Sequence, residues 1–289
     1  IVSLEQLRQA CTSQSVRGLH GFGAKTEETI LKGLRLAEAS GQRIYWAEAD
    51  RVVAALRAQL RSCPAVEELE FAGSYRRGRE TVGDLDLLVT TDDPDAVMKA
   101  FTGYDEVREV LAAGETRASI RLACGLQVDL RIVPQESYGA ALHYFTGSKA
   151  HNIHVRRMGQ RRGLKINEYG VFKGERCVGG VAEEDVFKAV ALPWIEPELR
   201  ENRGEIEAAE ERRLPELVTL EDIRGDLHCH STATDGRSSL EELAMAARDL
   251  GYAYLAITDH SKRVAVARGM TAARLAGHLE AIDRVNARL

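Results

Sequence analysis

Residues 73–89 read GSYRRGRETVGDLDLLV. A Gly-Ser pair comes first, then three arginines within four positions (Arg76, Arg77, Arg79), then Asp84 and Asp86 inside an apolar run. From residue 84 onward, apolar and polar residues alternate with the period of a β-strand, in which residues two apart point to one face. Leu85, Leu87 and Val89 are therefore expected to pack inward, with Asp84 and Asp86 projecting together from the opposite face. Two carboxylates so placed repel unless a cation lies between them. A hard, oxygen-seeking ion suits them, because such an ion shares its shell with waters and phosphates.

The alternation returns in LQVDLRIVP (126–134), where Asp129 and Arg131 face away from Val128, Leu130 and Ile132. A third carboxylate on a neighbouring strand would complete a set able to hold two metals about 3.5–4 Å apart, suited to in-line phosphoryl transfer. The Gly73-Ser74 turn offers backbone N–H groups and a hydroxyl to an approaching phosphate, and Arg77 offers a fork of donors. The plainer reading makes Arg76, Arg77 and Arg79 surface residues paired with Glu80. With G-S before them and D-x-D after them, the functional reading is favoured.

Working outward, ELEFAGS (68–74), DLDLLVT (84–90), ASIRLACG (118–125) and LQVDLRIVP read as strands, with Gly125 at a hairpin turn. DDPDAVMKAFTGY (92–104) reads as a helix with an aspartate cap. This order predicts a mixed, α+β fold: a small sheet with helices on one face. Upstream, residues 1–36 read as two or three short helices, and 45–62 as one helix ended by Pro64. Downstream, 139–200 alternates short helices with a hairpin, INEYGVFKGERCV. The acidic stretch 201–222 reads as an exposed linker. A new α/β pattern opens at 224, with RGDLHCHS, a helix over 239–251, a strand ending in ITDH (257–260) and one more helix.

The 289 residues, 44% hydrophobic and 29% charged, suit a globular protein of two or three domains. No run approaches 18 apolar residues, so no membrane helix is expected, and the N-terminus lacks a signal-peptide pattern. The absent initiator Met suggests a fragment. Five cysteines without a C-x-x-C pair point to a reducing cytoplasm and away from a disulfide scaffold. The net charge of −5 hides a segregation: residues 141–177 carry eight Lys/Arg against two Glu, while 178–225 carry six against thirteen Asp/Glu. A local basic surface matters more to a polyanion than the total charge.

A second cluster lies in DLHCHSTATDG (226–236). His228 and His230 are two apart at a strand end, Asp235 follows, and Asp259-His260 ends another strand. That set points to a metal rather than to isolated core histidines.

The motif in 73–89 resembles the nucleotidyltransferase palm of family X DNA polymerases. VDLRIVPQESYGAALHYFTGSKAHN (128–152) resembles the segment that follows it, with the third aspartate and the Y-F-T-G-S motif. The resemblance continues through GLKINEYGVF (163–172) and ALPWIEPELRENRGEIEAA (191–209), and is nearest to the bacterial and archaeal type, in which a PHP domain follows the polymerase core. It implies five segments: helical fingers with a helix-hairpin-helix (1–64), palm (65–140), thumb (141–200), acidic linker (201–223) and an incomplete PHP domain (224–289), in a chain truncated at both ends. It implies that Asp84, Asp86 and Asp129 bind two Mg²⁺ or Mn²⁺ ions, with Asp129 helping to activate the primer 3′-hydroxyl. Gly73, Ser74, Arg77 and Gly83 would hold the triphosphate. Tyr144, Phe145 and Gly147 would lie under the sugar. Asn152 would contact the base, and Arg156 the template. Lys149 departs from the aspartate of the animal pattern.

GLHGFGAKTEE (18–28) resembles the helix-hairpin-helix, in which Gly21 and Gly23 would offer backbone N–H groups to DNA phosphates; the plainer reading puts Leu19 and Phe22 in a core. His228, His230, Asp235 and His260 resemble the first two PHP motifs, which would hold Mn²⁺ or Zn²⁺ for phosphoester cleavage. The expected function is template-directed filling of short gaps with dNTPs, with an attached 3′–5′ exonuclease. The partners would be gapped or primer-template DNA and dNTPs. A membrane is not among them. The protein would be a cytoplasmic, nucleoid-associated monomer, with a dimer left open. The alternatives are a PHP-based 3′-end nuclease using the palm as a platform, a non-enzymatic end-binding module and an untemplated nucleotidyltransferase.

Overall fold

The computed structural model describes residues 3–19, 21–40 and 43–289, with backbone alone at 4, 5, 32 and 35–40. The chain forms two compact units, Ile1–Leu214 and Pro215–Leu289.

At the centre of the first unit is a five-stranded sheet in the order Glu68–Phe71, Asp84–Thr90, Gln127–Ile132, Arg117–Leu122, Val107–Ala113. Neighbours are antiparallel except Asp84–Thr90 and Gln127–Ile132, which run parallel. Leu85, Leu87 and Val89 are fully buried on one face, together with Val128 and Leu130. Helices Trp46–Arg61 and Pro94–Thr102 cover that face through Val53, Leu56, Leu60, Val97 and Phe101. The shorter helix starts where the Asp93 side chain accepts the Ala96 N–H at 3.1 Å. On the opposite face Leu88 packs with Ala72, Ala141 and Leu142, which leaves the rest of that face to the polar residues.

The strand Val107–Ala113 is absent from the sequence-based expectation. It is an edge strand whose residues are exposed or half-buried throughout, so its side chains carry no strict alternation.

Helices Tyr138–Thr146 and Lys149–Arg161 follow, then a three-stranded antiparallel sheet (Lys165–Asn167, Gly170–Lys173, Arg176–Gly179) and helix Glu183–Ala189. The expectation of an exposed linker over 201–223 differs from the structure. Residues Glu205–Glu210 form a helix, and its Ile206 and Ala209 are buried in the same core as Val155, Phe187 and Ile195. Glu205 is buried with them, while Glu207 and Glu210 lie on the outer side, so the composition reads as linker although one face is packed.

Near the N-terminus, Ser3 caps helix Leu4–Thr12 and helix Ala24–Ser40 follows a short turn. Gly21 has φ +86, a left-handed conformation favourable to glycine. Leu19 and Phe22 are exposed, which overturns their assignment to a core. His20, within the expected hairpin, lies outside the described residues.

In the second unit, strands Gly225–Cys229 and Tyr254–Ile257 pair in parallel, connected through helix Leu240–Asp249, and helix Ala272–Asn286 follows. A reciprocal Ser239–Glu242 box starts the first of these helices. Among the described residues no closed barrel forms, and no helix is long and apolar enough to cross a membrane.

Candidate functional site

The parallel pairing places Asp86 directly beside Asp129, and Asp84 beside Gln127. All four belong to the face opposite Leu85 and Leu87, so three carboxylates share one patch. Asp84 is exposed and Asp86 half-buried. Burial raises the pKa of Asp86 to about 7, reinforced by the charges of Asp84 and Asp129 and opposed by Arg131 and Arg77. Asp84 is raised as well, by burial and then by Asp129, against the pull of Arg43. Carboxylates that raise one another's pKa hold negative charge with no sufficient counterion. That donor set of hard oxygens fits a divalent cation.

The chain turns sharply beside this patch. Ala72 donates its N–H to the Asp86 carbonyl at 2.7 Å, and Gly73–Arg76 then form a single helical turn. Gly73 has φ +65, and a Cβ there would stand 2.5 Å from Asp86 Oδ2. Ser74 Oγ is buried next in the chain with no hydrogen-bond partner. A buried hydroxyl without a partner is costly, and a triphosphate oxygen would satisfy it. Gly83 lies against Arg43, whose Nη1 would sit 3.1 Å from a Cβ at that position. Arg43 also donates from Nε to Thr81 Oγ1 at 2.9 Å and from Nη2 to the Thr81 carbonyl at 2.5 Å.

The three arginines are not paired with Glu80. Arg76 makes a bidentate pair with Glu183 at 2.9 and 2.7 Å and also donates to Thr146 Oγ1. Arg77 donates from Nε to Glu201 at 2.7 Å and from Nη1 to the Thr146 carbonyl at 2.7 Å. Arg79 lies 3.6 Å from the same Glu201 oxygen. These partners are 69 to 124 positions away in sequence, too far for local reading to find. Glu183 is shared with Arg200, a fully buried guanidinium held at 2.5 Å and flanked by the rings of Phe187 and Trp194. Beside this network lie two buried imidazoles, His143 and His151. His151 Nδ1 meets Glu205 at 2.7 Å.

The Tyr144–Asn152 segment joins two helices. Tyr144 and Phe145 pack edge to face and are half-buried. The Arg131 guanidinium lies 4.6 Å from the Phe145 ring centre, and that of Arg156 lies 6.0 Å from the Tyr144 ring centre. Asn152 Nδ2 donates to the carbonyls of Tyr144 (2.6 Å) and Gly147 (3.1 Å), while its Oδ1 is buried without a partner. A side chain at 147 would collide with that Oδ1. Asn152 therefore clamps the turn with its donor end and keeps an acceptor free.

Three neighbours of the site escaped the sequence reading. Ser119 donates to Asp129 Oδ1, Gln127 Nε2 contacts Asp129 Oδ1 and Oδ2 at 3.2 and 3.0 Å, and Arg43 flanks Gly83. The signal for Ser119 and Gln127 was their place on the polar face of strands already recognised.

Within the second unit, His230, Asp235 and His260 bring ligand atoms within 4.8 Å of one another. His230 Nδ1 lies 2.8 Å from Asp235, and His260 Nε2 lies 3.4 Å from the other Asp235 oxygen. His228 stacks on His230, their Nε2 atoms 2.9 Å apart. Hydrogen bonding to His230 holds the Asp235 carboxyl below its usual range. Asp259 faces elsewhere: it accepts from Ser231 and Thr234, and His278 Nε2 lies 2.9 Å away. Gly21 and Gly23 are exposed, with open space where a Cβ would stand.

Family models match the chain in three places: DNA polymerase beta palm at 43–124, DNA polymerase beta thumb at 141–201 and PHP domain at 226–285. A curated protein of Bacillus subtilis, "DNA polymerase/3'-5' exonuclease PolX", is 40% identical over 289 residues, covering 98% of this chain and 50% of that protein. DNA polymerase lambda of Rattus norvegicus is 26% identical over 219 residues, 63% of this chain and 38% of that protein. The chain thus spans about half the length, or less, of these curated relatives. A solved structure of Leishmania infantum polymerase beta, described as a ternary P/T complex, superposes with a TM-score of 0.55 at 19% identity, covering 70% of this chain and 89% of that one. That likeness speaks for the fold.

Proposed function

We propose, from the premise that this chain belongs to the family X DNA polymerases that carry a PHP domain, that it adds dNTPs to a primer 3′-hydroxyl on gapped or primer-template DNA. The observation that carries this reading is the register of Asp86 with Asp129, with Asp84 on the same face and the unpartnered Ser74 hydroxyl beside them. Mg²⁺ or Mn²⁺ ions held by the three aspartates would supply positive charge against the triphosphate and the attacking oxygen.

The chain's own groups divide the remaining work. Asp129 accepts the proton of the primer 3′-hydroxyl. Ser74 Oγ and the backbone around Gly73 donate to the triphosphate, and Gly83 permits close approach beside Arg43. Arg77 adds a cation once it turns from Glu201. Tyr144, Phe145 and Gly147 form the floor under the sugar, where crowding excludes a 2′-hydroxyl. Asn152 Oδ1 and Arg156 face base and template, and Gly21 and Gly23 hold duplex phosphates without reading sequence. The protein acts as a cytoplasmic monomer that gathers at the nucleoid when bound to DNA.

The test is extension of a gapped duplex by the wild-type chain and by Asp84→Ala and Asp129→Ala. Loss of extension in both, with melting temperature retained, is expected. Extension at the wild-type rate by either variant would refute the assignment, and incorporation indifferent to the template base would make the enzyme an untemplated transferase.

A second reading is favoured by the cluster of His230, Asp235 and His260 with His228 beside it. These residues would hold Mn²⁺ or Zn²⁺ and cut phosphoester bonds at a DNA 3′ end. A 3′-end digestion assay decides it: activity that survives Asp84→Ala and disappears in His230→Ala belongs to the second unit.

A further inference from the structure

We propose that Ser119 and Gln127 are positioning residues that preset the carboxylate of Asp129, making it the fixed member of the acidic trio. The inference rests on the polymerase reading for its kinetic consequence and on geometry for the rest. Ser119 is the antiparallel partner of Asp129, and Gln127 stands two residues before Asp129 on the same strand, directly across from Asp84. These four residues and Asp86 project from one face. Gln127 Nε2 lies 3.2 Å from Asp129 Oδ1 and 3.0 Å from Oδ2, and Ser119 Oγ donates to Oδ1. Contacts from two directions fix the plane of this carboxylate.

Asp84 and Asp86 differ. Among the described residues no side chain donates a hydrogen bond to either; Asp84 meets a backbone N–H and the charge of Arg43, and Asp86 the charges of Arg131 and Arg77. They remain free to adjust around a ligand. Asp129 is held before any ligand arrives.

The identity of the two donors matters. A hydroxyl and a carboxamide are neutral, so they orient Asp129 without placing a competing positive charge against it. Their contacts are also unequal. Oδ1 receives Ser119 and shares Gln127, whereas Oδ2 receives Gln127 alone. Oδ2 is therefore the oxygen with more capacity left for a cation or a proton. Partners that orient a metal ligand typically change affinity or activity about 10–100-fold when removed.

The experiment measures Mn²⁺ binding by electron paramagnetic resonance in a full chain carrying His230→Ala and Asp235→Ala, which removes the second unit's ligands. The signal lost on adding Asp84→Ala is the palm signal. Gln127→Ala and Ser119→Ala are each expected to weaken that palm signal about tenfold, and Ser119→Thr, which keeps the hydroxyl, to restore it. In single-nucleotide extension the same variants are expected to lose kcat by a similar factor, with KM for the dNTP and affinity for gapped DNA within about twofold of wild type. A merely structural defect would move melting temperature and DNA affinity together. The proposal is overturned if both alanine variants bind Mn²⁺ as tightly as the parent, or if their loss lies in KM alone. If the parent binds Mn²⁺ in an Asp84-dependent way and the alanine variants weaken it, but neither the wild-type chain nor the parent extends a primer, then the polymerase reading fails and the positioning role stands.

Discussion

Gly73 and Asp86 compete for the same space: a Cβ on the glycine would stand 2.5 Å from the Oδ2 of the aspartate. The glycine also has φ +65, which costs a residue with a Cβ roughly 1–2 kcal/mol. Gly73→Ala is therefore expected to push the Asp86 carboxylate out of the acidic patch. Extension should fall by at least an order of magnitude, while the melting temperature drops by only a few degrees, in line with about 1–2 kcal/mol. A variant with normal turnover would show that Asp86 tolerates the displacement.

Glu201 occupies the Nε of Arg77, at 2.7 Å. On the proposed reading, a triphosphate would compete with this carboxylate for the guanidinium. Removing the negative charge with Glu201→Gln is expected to lower KM for the dNTP about three- to tenfold with kcat little changed, within the range of a charge-assisted hydrogen bond. Steady-state kinetics on a one-nucleotide gap reads the split, and an unchanged KM would mean that Arg77 never leaves its partner.

Arg200 is buried with Glu183 as its counterion, and Arg76 shares that carboxylate. Glu183→Ala would leave the Arg200 charge uncompensated, at a cost of about 3–5 kcal/mol. Denaturant unfolding should show the whole loss in the midpoint. A companion variant, Arg76→Ala, leaves the buried pair intact and is expected to lose less.

His143 is buried, and its pKa is held well below the usual imidazole value by burial and then by the nearby charge of Arg200. His151 is lowered for the same first reason, although Glu205 pulls it back. A depressed folded pKa means that the unfolded chain binds a proton which the folded chain refuses. The stability contributed is present above the unfolded value of about 6.5 and is lost as pH falls below it. Unfolding free energy should therefore decline between about pH 6.5 and 5, by up to about 1.4 kcal/mol per pH unit for each histidine. His143→Leu should flatten that limb, and a slope unchanged by the substitution would locate the uptake elsewhere.

In the second unit, His230→Ala and Asp235→Ala remove two members of the candidate metal cluster. Each is expected to abolish tight Mn²⁺ or Zn²⁺ binding there and to leave gap-directed extension unchanged. Calorimetric titration of the full chain checks the first outcome, and primer extension the second.

The three aspartates were legible because period-two alternation assigns a face from sequence alone. Leu85, Leu87 and Val89 indeed pack away from Asp84 and Asp86, as that period requires. The helix capped by Asp93 and the hairpin at Gly125 were readable for equally local reasons. What escaped depends on pairing across the chain. Ser119 and Gln127 are ordinary strand residues until register sets them against Asp129. The bond from Arg76 to Glu183 spans 107 positions. The helix Glu205–Glu210 hides in an acidic run because only two apolar residues, Ile206 and Ala209, and a buried glutamate, Glu205, carry its packed face. Similarly, Val107–Ala113 lacks alternation because an edge strand exposed along most of its length need not alternate.

The parallel pairing of Asp84–Thr90 with Gln127–Ile132 has a consequence for folding. Parallel neighbours need a long connection, and here it contains a helix and two further strands. No short segment brings Asp86 beside Asp129, so any form in which these two strands separate loses the whole candidate cation site at once. A divalent ion that binds the trio is then a ligand of the native state alone. At about one hundred times its dissociation constant it would add about 2.7 kcal/mol to unfolding. Metal-dependent melting of the first unit would thus report the cooperativity of the sheet, with the aspartates acting as a built-in gauge of its integrity.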